Sequence, residues 1–432
     1  MARAEHGPPD PAVTARGAET TRSGPEAARP ARGGVRAGER ALAPDLARGF
    51  MLLMIVLSNT GFHLYAARHG ASGWHPVDGS VWDAMARFVM ITGLDLRSYP
   101  MFAFLFGYGM VQLYRRQRAA GTSERRAVSL LRRRSLWLLA FGAVHAALLM
   151  AGDILGLYGL VSLLLGWLFL RRADRTLLVW AGVFVALIAV LTALTVLDFL
   201  SGTDTSARMP DTVAYASVET SYPDSVVTRL QTWGLGVTLL GSLFSFAFHA
   251  AVLLGFWAAR RRVLEEPGRH LRLLGWTAAL GITVGWLGGL PVALDQVGVL
   301  SLPEAAHGPN GPVFMWQLLT GLPGGLGYAA LFGLIAHWLS RRARASVPVV
   351  AVSALGQRSL SGYLAHSVLF SPVLAAWGLG LGAHLTSASM ALFAVGVWLV
   401  TVAGAYALQR AGRRGPAEAL LRRLVYGRAD RR

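Results

Sequence analysis

Apolar and polar positions alternate along this chain on the scale of whole membrane spans. The stretch PDLARGFMLLMIVLSNTGFHLY, from Pro44 to Tyr65, contains eight consecutive large apolar residues between Phe50 and Leu57. That pattern predicts a membrane-spanning helix with polar groups at both ends. Asp45 and Arg48 stand three apart at the entrance and share a helical face. Asn59 lies eleven residues past Arg48, which returns it to nearly the same azimuth roughly 16 Å along. His63 follows one turn later. The predicted helix has an Arg at one mouth and an Asn/His pair at the other.

Nine further spans are predicted, at about Met101–Leu113, Ser135–Met150, Ile154–Leu170, Thr176–Leu197, Gly236–Trp257, Leu274–Leu294, Val313–Leu339, Val349–Leu369 and Ala388–Leu408. The segment VWDAMARFVMITGLDLRSYP is too interrupted for a span and reads as a short interfacial helix, with Asp95 and Arg97 near the outer surface. Spans three and four form a tight hairpin. Every arginine-rich segment falls on one side: Tyr114–Arg134, Arg171–Arg175, the run after Trp257, the run after Leu339 and the tail. The positive-inside rule makes that side cytoplasmic, with both termini inside. The acidic Asp198–Arg229 segment is then an external loop long enough to cap a site. The fold class is an all-α polytopic membrane bundle of about ten helices. Residues 1–40 lack large apolar side chains and are expected to be a disordered tail, not a signal peptide. Residues 41–410 form the membrane domain, and 411–432 a basic interfacial helix and tail whose Leu420, Leu421, Leu424 and Val425 lie on the inner leaflet.

Composition agrees with this picture: 54% of the 432 residues are hydrophobic and 15% charged. The formal charge of +18 would suggest nucleic acid in a soluble chain. Here the basic residues sit in short loops between apolar runs, so no nucleic-acid partner is expected, and the basic side faces the anionic inner leaflet. The chain has no cysteine and no lysine. Thiol nucleophiles, Cys-ligated metals, Schiff-base lysines and P-loops are thereby excluded. His, Asp, Glu, Ser, Thr, Tyr and Arg remain for chemistry.

Five phrases in order resemble the YeiB-like membrane proteins, a family filed as a domain of unknown function (DUF418): DLARGFMLLMIVLSN at Asp45, SYPMFAFLFGYG at Ser98, HAALLMAGDILGLYG at His145, LGQRSLSGYLAHS at Leu355 and GPAEALLRRLVYG at Gly415. In its first helix that family is similar to the wider group of membrane acyltransferases, which move acyl groups from a cytoplasmic donor to an acceptor on the far side. In many of those an Arg is followed eleven residues later by a catalytic His. Here the Arg is Arg48, and the matching position holds Asn59, which leaves His63 to take over the role. The resemblance implies acyl-CoA as co-substrate, a glycan, lipid or small-molecule acceptor, no metal, and a place in the cell membrane.

Each candidate has a functional and a plain reading. Arg48, with Asp45 beside it, binds the donor, or it is an inside anchor; Asn59 and His63 act on the substrate, or they are a helix–helix contact and a loop residue. His145 and Asp153 form a general-base pair, or Asp153 caps the next helix. Asp95 and Arg97 form the outer lip of a cavity that binds the acceptor, or a surface ion pair. Tyr363 and His366 add a third candidate pair, and His249 reads as bonded to a neighbouring helix backbone. The glycine spacings Gly285/Gly289 and Gly321/Gly325 read as close helix packing. The leading function is a membrane acyltransferase; the runner-up is a small-molecule transporter or exporter; a third reading is a membrane scaffold. No internal repeat is evident, and a carrier is usually built from two related halves.

Overall fold

The computed structural model describes residues 41–70, 74–202, 212–307, 311–342 and 346–427. The expected disordered tail therefore lies outside the described residues, as do Asp204 and Asp211 of the expected cap. Every regular element among the described residues is helical.

The first helix, α1 (Leu42–Ser58), stops at Ser58; Asn59 caps it, and His63 sits on a following 3-10 turn, Thr60–His63. Helix α2 (Val81–Gly93) begins with a reciprocal Ser80/Asp83 capping box. It exposes Val81, Trp82, Met85 and Val89 on one side, as an interfacial helix does. Next come α3 (Ser98–Ala119), α4 (Glu124–Leu148) and α5 (Ile154–Phe169), the last two forming the predicted hairpin. Helix α6 (Asp174–Leu200) faces outward over most of its length.

The sixth predicted span is broken. Helix α7 (Tyr222–Gln231) runs into a π-helical stretch, Thr232–Leu240, then a one-turn helix, α8 (Gly241–Phe244). A 59° bend at Ser245 leads into α9 (Phe246–Arg260). His249 belongs to this break: its Nδ1 meets the Ser245 carbonyl at 2.7 Å and its Nε2 the Ser242 carbonyl at 2.9 Å. It serves carbonyls freed within its own span, not a neighbouring helix as expected.

Helices α10 (Leu271–Gln296) and α11 (Pro312–Ser340) pack along their length. Gly285 meets Gly324, and Gly321 and Gly325 lie against the backbone of Leu96 and Arg97, too close for any side chain. These spacings are close packing, as read from the sequence.

The ninth predicted span is a reversal. Helix α12 (Val347–Gln357) sets Val352 against Gly49 and Gly356 against Asp45, so it runs antiparallel to α1. After a corner at Arg358, α13 (Ser359–Leu374) brings Gly362 to Leu52 and Phe370 to His63, so it returns parallel to α1. Side chains replace the helix bonds lost at the corner. Arg358 donates to the carbonyls of Ala354 and Arg413 and to Gln409. Glu418 accepts from the N–H groups of Leu360 and Ser361 at 2.8 and 3.1 Å.

Helix α14 (Ser387–Arg410) and the amphipathic α15 (Pro416–Tyr426) complete the chain. The apolar stripe of α15 does not simply face lipid: Leu421 and Val425 are buried in a cluster with Leu52, Leu138, Leu355 and Tyr363, while Leu420 is exposed. By length and composition, α6, α10, α11 and α14 can each cross a membrane, and the bent α7–α9 segment makes a fifth. The main core lies where α1, α3, α5, α9 and α11 meet.

Candidate functional site

Two cavities meet at one tyrosine. The first, of about 280 Å³, opens at the arginine-rich end. Arg48, Arg116 and Arg134 line it together with Gln112, Gln357 and Glu418, and Phe102, Phe106, Tyr158 and Tyr363 add aromatic walls. Arg48 pairs with Asp45 at 3.3 Å and reaches the Leu105 carbonyl at 3.4 Å, which aims it across α3. Arg134 lies over the Phe106 ring, 5.5 Å from its centroid. The second cavity, of about 190 Å³, lies towards the opposite end and is lined by Ser58, Asn59, Trp74, Tyr99, Tyr215 and Tyr363 among others. Tyr363 is a wall of both.

A buried carboxylate stands behind Tyr363. The Tyr363 hydroxyl donates to Asp153 Oδ1 at 3.4 Å and accepts from the Ile154 N–H at 3.2 Å. The same Asp153 oxygen contacts His145 Nδ1 at 2.7 Å. Its other oxygen accepts from the Gly156 N–H at 3.0 Å and from Trp233 Nε1 at 3.2 Å. Asp153 therefore caps α5 and contacts His145 at once. The π-helical stretch carries Trp233, which closes this shell from the far side. His145 Nε2 is buried with no hydrogen-bond partner among the described residues.

A second buried pair backs the same cavity. Ser58 Oγ donates to Asp95 at 2.6 Å, and His75 Nε2 contacts the other Asp95 oxygen at 2.6 Å. Thus two hydroxyls on the cavity wall, Ser58 and Tyr363, each lead to an Asp–His pair. His75 was not legible as a partner, because nothing in the spacing of an external loop points to a carboxylate twenty residues on.

Asp95 lies deeper than expected, and Arg97, His63 and His366 lie away from this cavity. Asp95 and Arg97 are not a surface lip: their exposures are 2% and 0%. Arg97 donates to the carbonyls of Ile91, Asp95 and Gly285, locking the α2–α3 join to α10. Carbonyls at an irregular join need donors, and a buried guanidinium supplies several at once. His63 is buried with both ring nitrogens unpartnered among the described residues, edge-on to Phe370. It borders a small void beside Tyr215 and Arg229, not the cavity that holds Asn59. His366 contacts Thr401 at 3.0 Å and so faces α14. From the described part of the acidic loop, Tyr215 lines the second cavity and stacks on Phe62 with centroids 3.9 Å apart. Arg229, on α7, ties that helix to the end of α4 by donating to the Ala146 and Ala147 carbonyls. Sequence reasoning passed over Arg229, Arg134 and Arg116, because arginines in polar segments read first as loop charges.

Helices long and apolar enough to cross a membrane, packed around these cavities, define a helical membrane protein. Within that class the chain is similar to one family: residues 258–428 match the model described as "Protein of unknown function (DUF418)". It is similar to the uncharacterized protein YxaH of Bacillus subtilis (strain 168), 26% identical over 405 residues, covering 90% of this chain and 94% of that one. It is also similar to the uncharacterized protein YeiB of Escherichia coli (strain K12), 28% identical over 413 residues, covering 90% and 96%. No solved structure matches. The matched region carries Tyr363 and Glu418, whereas Arg48, Asn59, His145 and Asp153 come from the part of the chain before it.

Proposed function

We propose that this chain is a cell-membrane acyltransferase with ten spans and both termini in the cytoplasm. It would move an acyl group from cytoplasmic acyl-CoA to a hydroxyl or amine acceptor at the outer face. The observation that carries the reading is Tyr363, one side chain walling both an arginine-lined cavity and the Asn59 cavity, with Asp153 and His145 behind it. Arg48, Arg116 and Arg134 suit the phosphates of the donor, because a planar guanidinium makes paired bonds to phosphate oxygens and stays charged. The thioester enters past Phe102 and Phe106 to Tyr363.

The acceptor oxygen or nitrogen attacks the thioester carbonyl carbon, the C–S bond breaks, and the acyl ester or amide leaves on the acceptor. Tyr363 takes the acceptor's proton while passing its own to the Asp153–His145 pair, and the proton returns to the departing thiolate. Asn59 donates a hydrogen bond to the developing oxyanion. His145 takes the general-base role because it is held by a carboxylate; His63 has no such partner. The basic cytoplasmic loops sit on the anionic inner leaflet.

The test is purified protein with labelled acyl-CoA and a membrane extract. Label should pass to an extractable product in wild type and not in His145→Gln. Wild type that neither binds nor consumes acyl-CoA removes this reading. One observation favours a second reading, a carrier for a small amphiphile: two helices are broken, at Ser245 and at Arg358, as carriers' helices are around their sites. Solute flux in vesicles without acyl-CoA consumption selects it.

A further inference from the structure

We propose that the acceptor site is built for a membrane-resident amphiphile, a hydroxyl-bearing head group on a long apolar chain that enters sideways from the bilayer. This rests on the acyl-transfer reading for its chemistry, though not for the binding site itself. An apolar groove of about 590 Å³ adjoins the Asn59 cavity and shares Trp74, Leu96, Tyr99 and Ile154 with it. Its far wall comes from Ile188 and Leu191 of α6, the bend Phe244–Phe248, and Met315 and Leu318 of α11. It lies on the membrane-facing side: Leu191 and Phe244 are 37% and 64% exposed.

Two polar groups set this groove apart from a crevice for bulk lipid tails. Tyr99 and Tyr158 line it, and their hydroxyls are buried with no hydrogen-bond partner among the described residues. A buried hydroxyl without a partner is costly, and a lipid tail cannot supply one. A head-group oxygen at the junction can. Tyr158 also lines the arginine-rich cavity, and Tyr363 the Asn59 cavity, so that junction is where the donor arrives. The small Asn59 cavity takes the head, and the larger apolar groove takes the chain. The head-group oxygen attacks the thioester carbonyl, the C–S bond breaks, and its proton leaves with the thiol.

The probe is hexadecanol carrying a diazirine on its chain, photolysed with the full-length protein in lipid nanodiscs and mapped by peptide mass spectrometry. Labelling should concentrate on peptides holding Leu191 and Met315–Leu318, and unlabelled hexadecanol should compete where glycerol does not. Leu191→Trp should lower that labelling severalfold. Leu187→Trp, one turn away and similarly exposed at 39%, should leave it unchanged. Tyr99→Phe should weaken competition by the alcohol. Labelling spread evenly over the lipid-facing helices, or indifferent to Leu191→Trp, overturns the proposal. A parallel assay separates it from the underlying reading. Transfer of labelled acyl groups to glycerol at equal rates in wild type and Leu191→Trp, and not to hexadecanol, overturns the amphiphile and leaves acyl transfer standing. Groove labelling without any acyl-CoA consumption supports the amphiphile site and removes acyl transfer.

Discussion

Asp153 carries two duties on one carboxylate, and its neighbours show how the site is held. One oxygen holds His145 and Tyr363; the other caps α5 and anchors Trp233. Asp153→Ala should cost about 1 kcal/mol for the lost cap and roughly 1–3 kcal/mol more for the stranded imidazole, read as a lower melting temperature in detergent. Tyr363→Phe strands the Ile154 N–H and should cost roughly 1–3 kcal/mol, read as a modestly lower melting temperature, while cutting turnover far more. Asn59→Ala should slow turnover roughly a hundredfold, the usual loss of one oxyanion donor. His63→Leu should keep both stability and activity, because the ring nitrogens it removes have no partners among the described residues. Loss of activity in that variant, measured as acyl-CoA consumption, would restore His63 as the base. Asp153 and His145 were legible because a hairpin with Asp at its tip brings an intramembrane His within reach. Asp95 and Arg97 were misplaced near the outer surface, because they sit between an interrupted interfacial segment and the start of the second apolar run. In the structure their side chains satisfy Ser58, His75 and backbone carbonyls instead.

Among the elements, breaks and their repairs were the least legible feature. Runs at Gly236–Trp257 and Val349–Leu369 are apolar enough to read as continuous spans, and hydropathy is blind to a bend. The polar triplet Gln357-Arg358-Ser359 was the available signal for the second break. Its repair comes from 58 residues beyond Leu360, in Glu418, which no local pattern connects to α13. Glu418→Ala should expose the first turn of α13, seen as faster hydrogen exchange at Leu360 and Ser361; unchanged exchange would show that the α15 contact does not hold the corner. Asp83 makes a second long-range cap. Beyond its own helix it accepts from the Ala388 N–H at 2.8 Å, tying α2 to α14. Burial works against its charge, but hydrogen bonds from Thr386, Ala388 and Ser80 outweigh that and hold the carboxyl well below the usual range. A depressed carboxylate stabilises the fold above its unfolded value of about 3.9 and loses that contribution as pH falls towards the folded one. Thermal melts of wild type should therefore weaken below pH ~4. Asp83→Asn should be less stable at neutral pH and flatter in acid; an identical acid slope would mean other groups set it.

For the molecule as a whole, the side-to-side charge pattern is the feature the sequence carried most plainly, since arginine runs recur at the ends of successive apolar stretches. What it could not carry was the way α1, α3, α5 and α13 leave cavities meeting at Tyr363, because that depends on α12 and α13 doubling back along α1. Topology is open to single cysteines, the chain having none of its own. A cysteine at Ala120 should resist an impermeant reagent in intact cells, and reaction would invert the assignment. The central claim, that acyl groups pass Tyr363 from the arginine-rich side to the other, is tested most directly in proteoliposomes of known orientation. Labelled acyl-CoA is supplied only at the arginine-rich face, and a hydroxyl acceptor only opposite. Acylated product should form on the acceptor side while free thiol accumulates with the donor, and Tyr363→Phe and His145→Gln should each suppress both. Intact acyl-CoA with wild type, or product formed equally by both variants, would contradict the account.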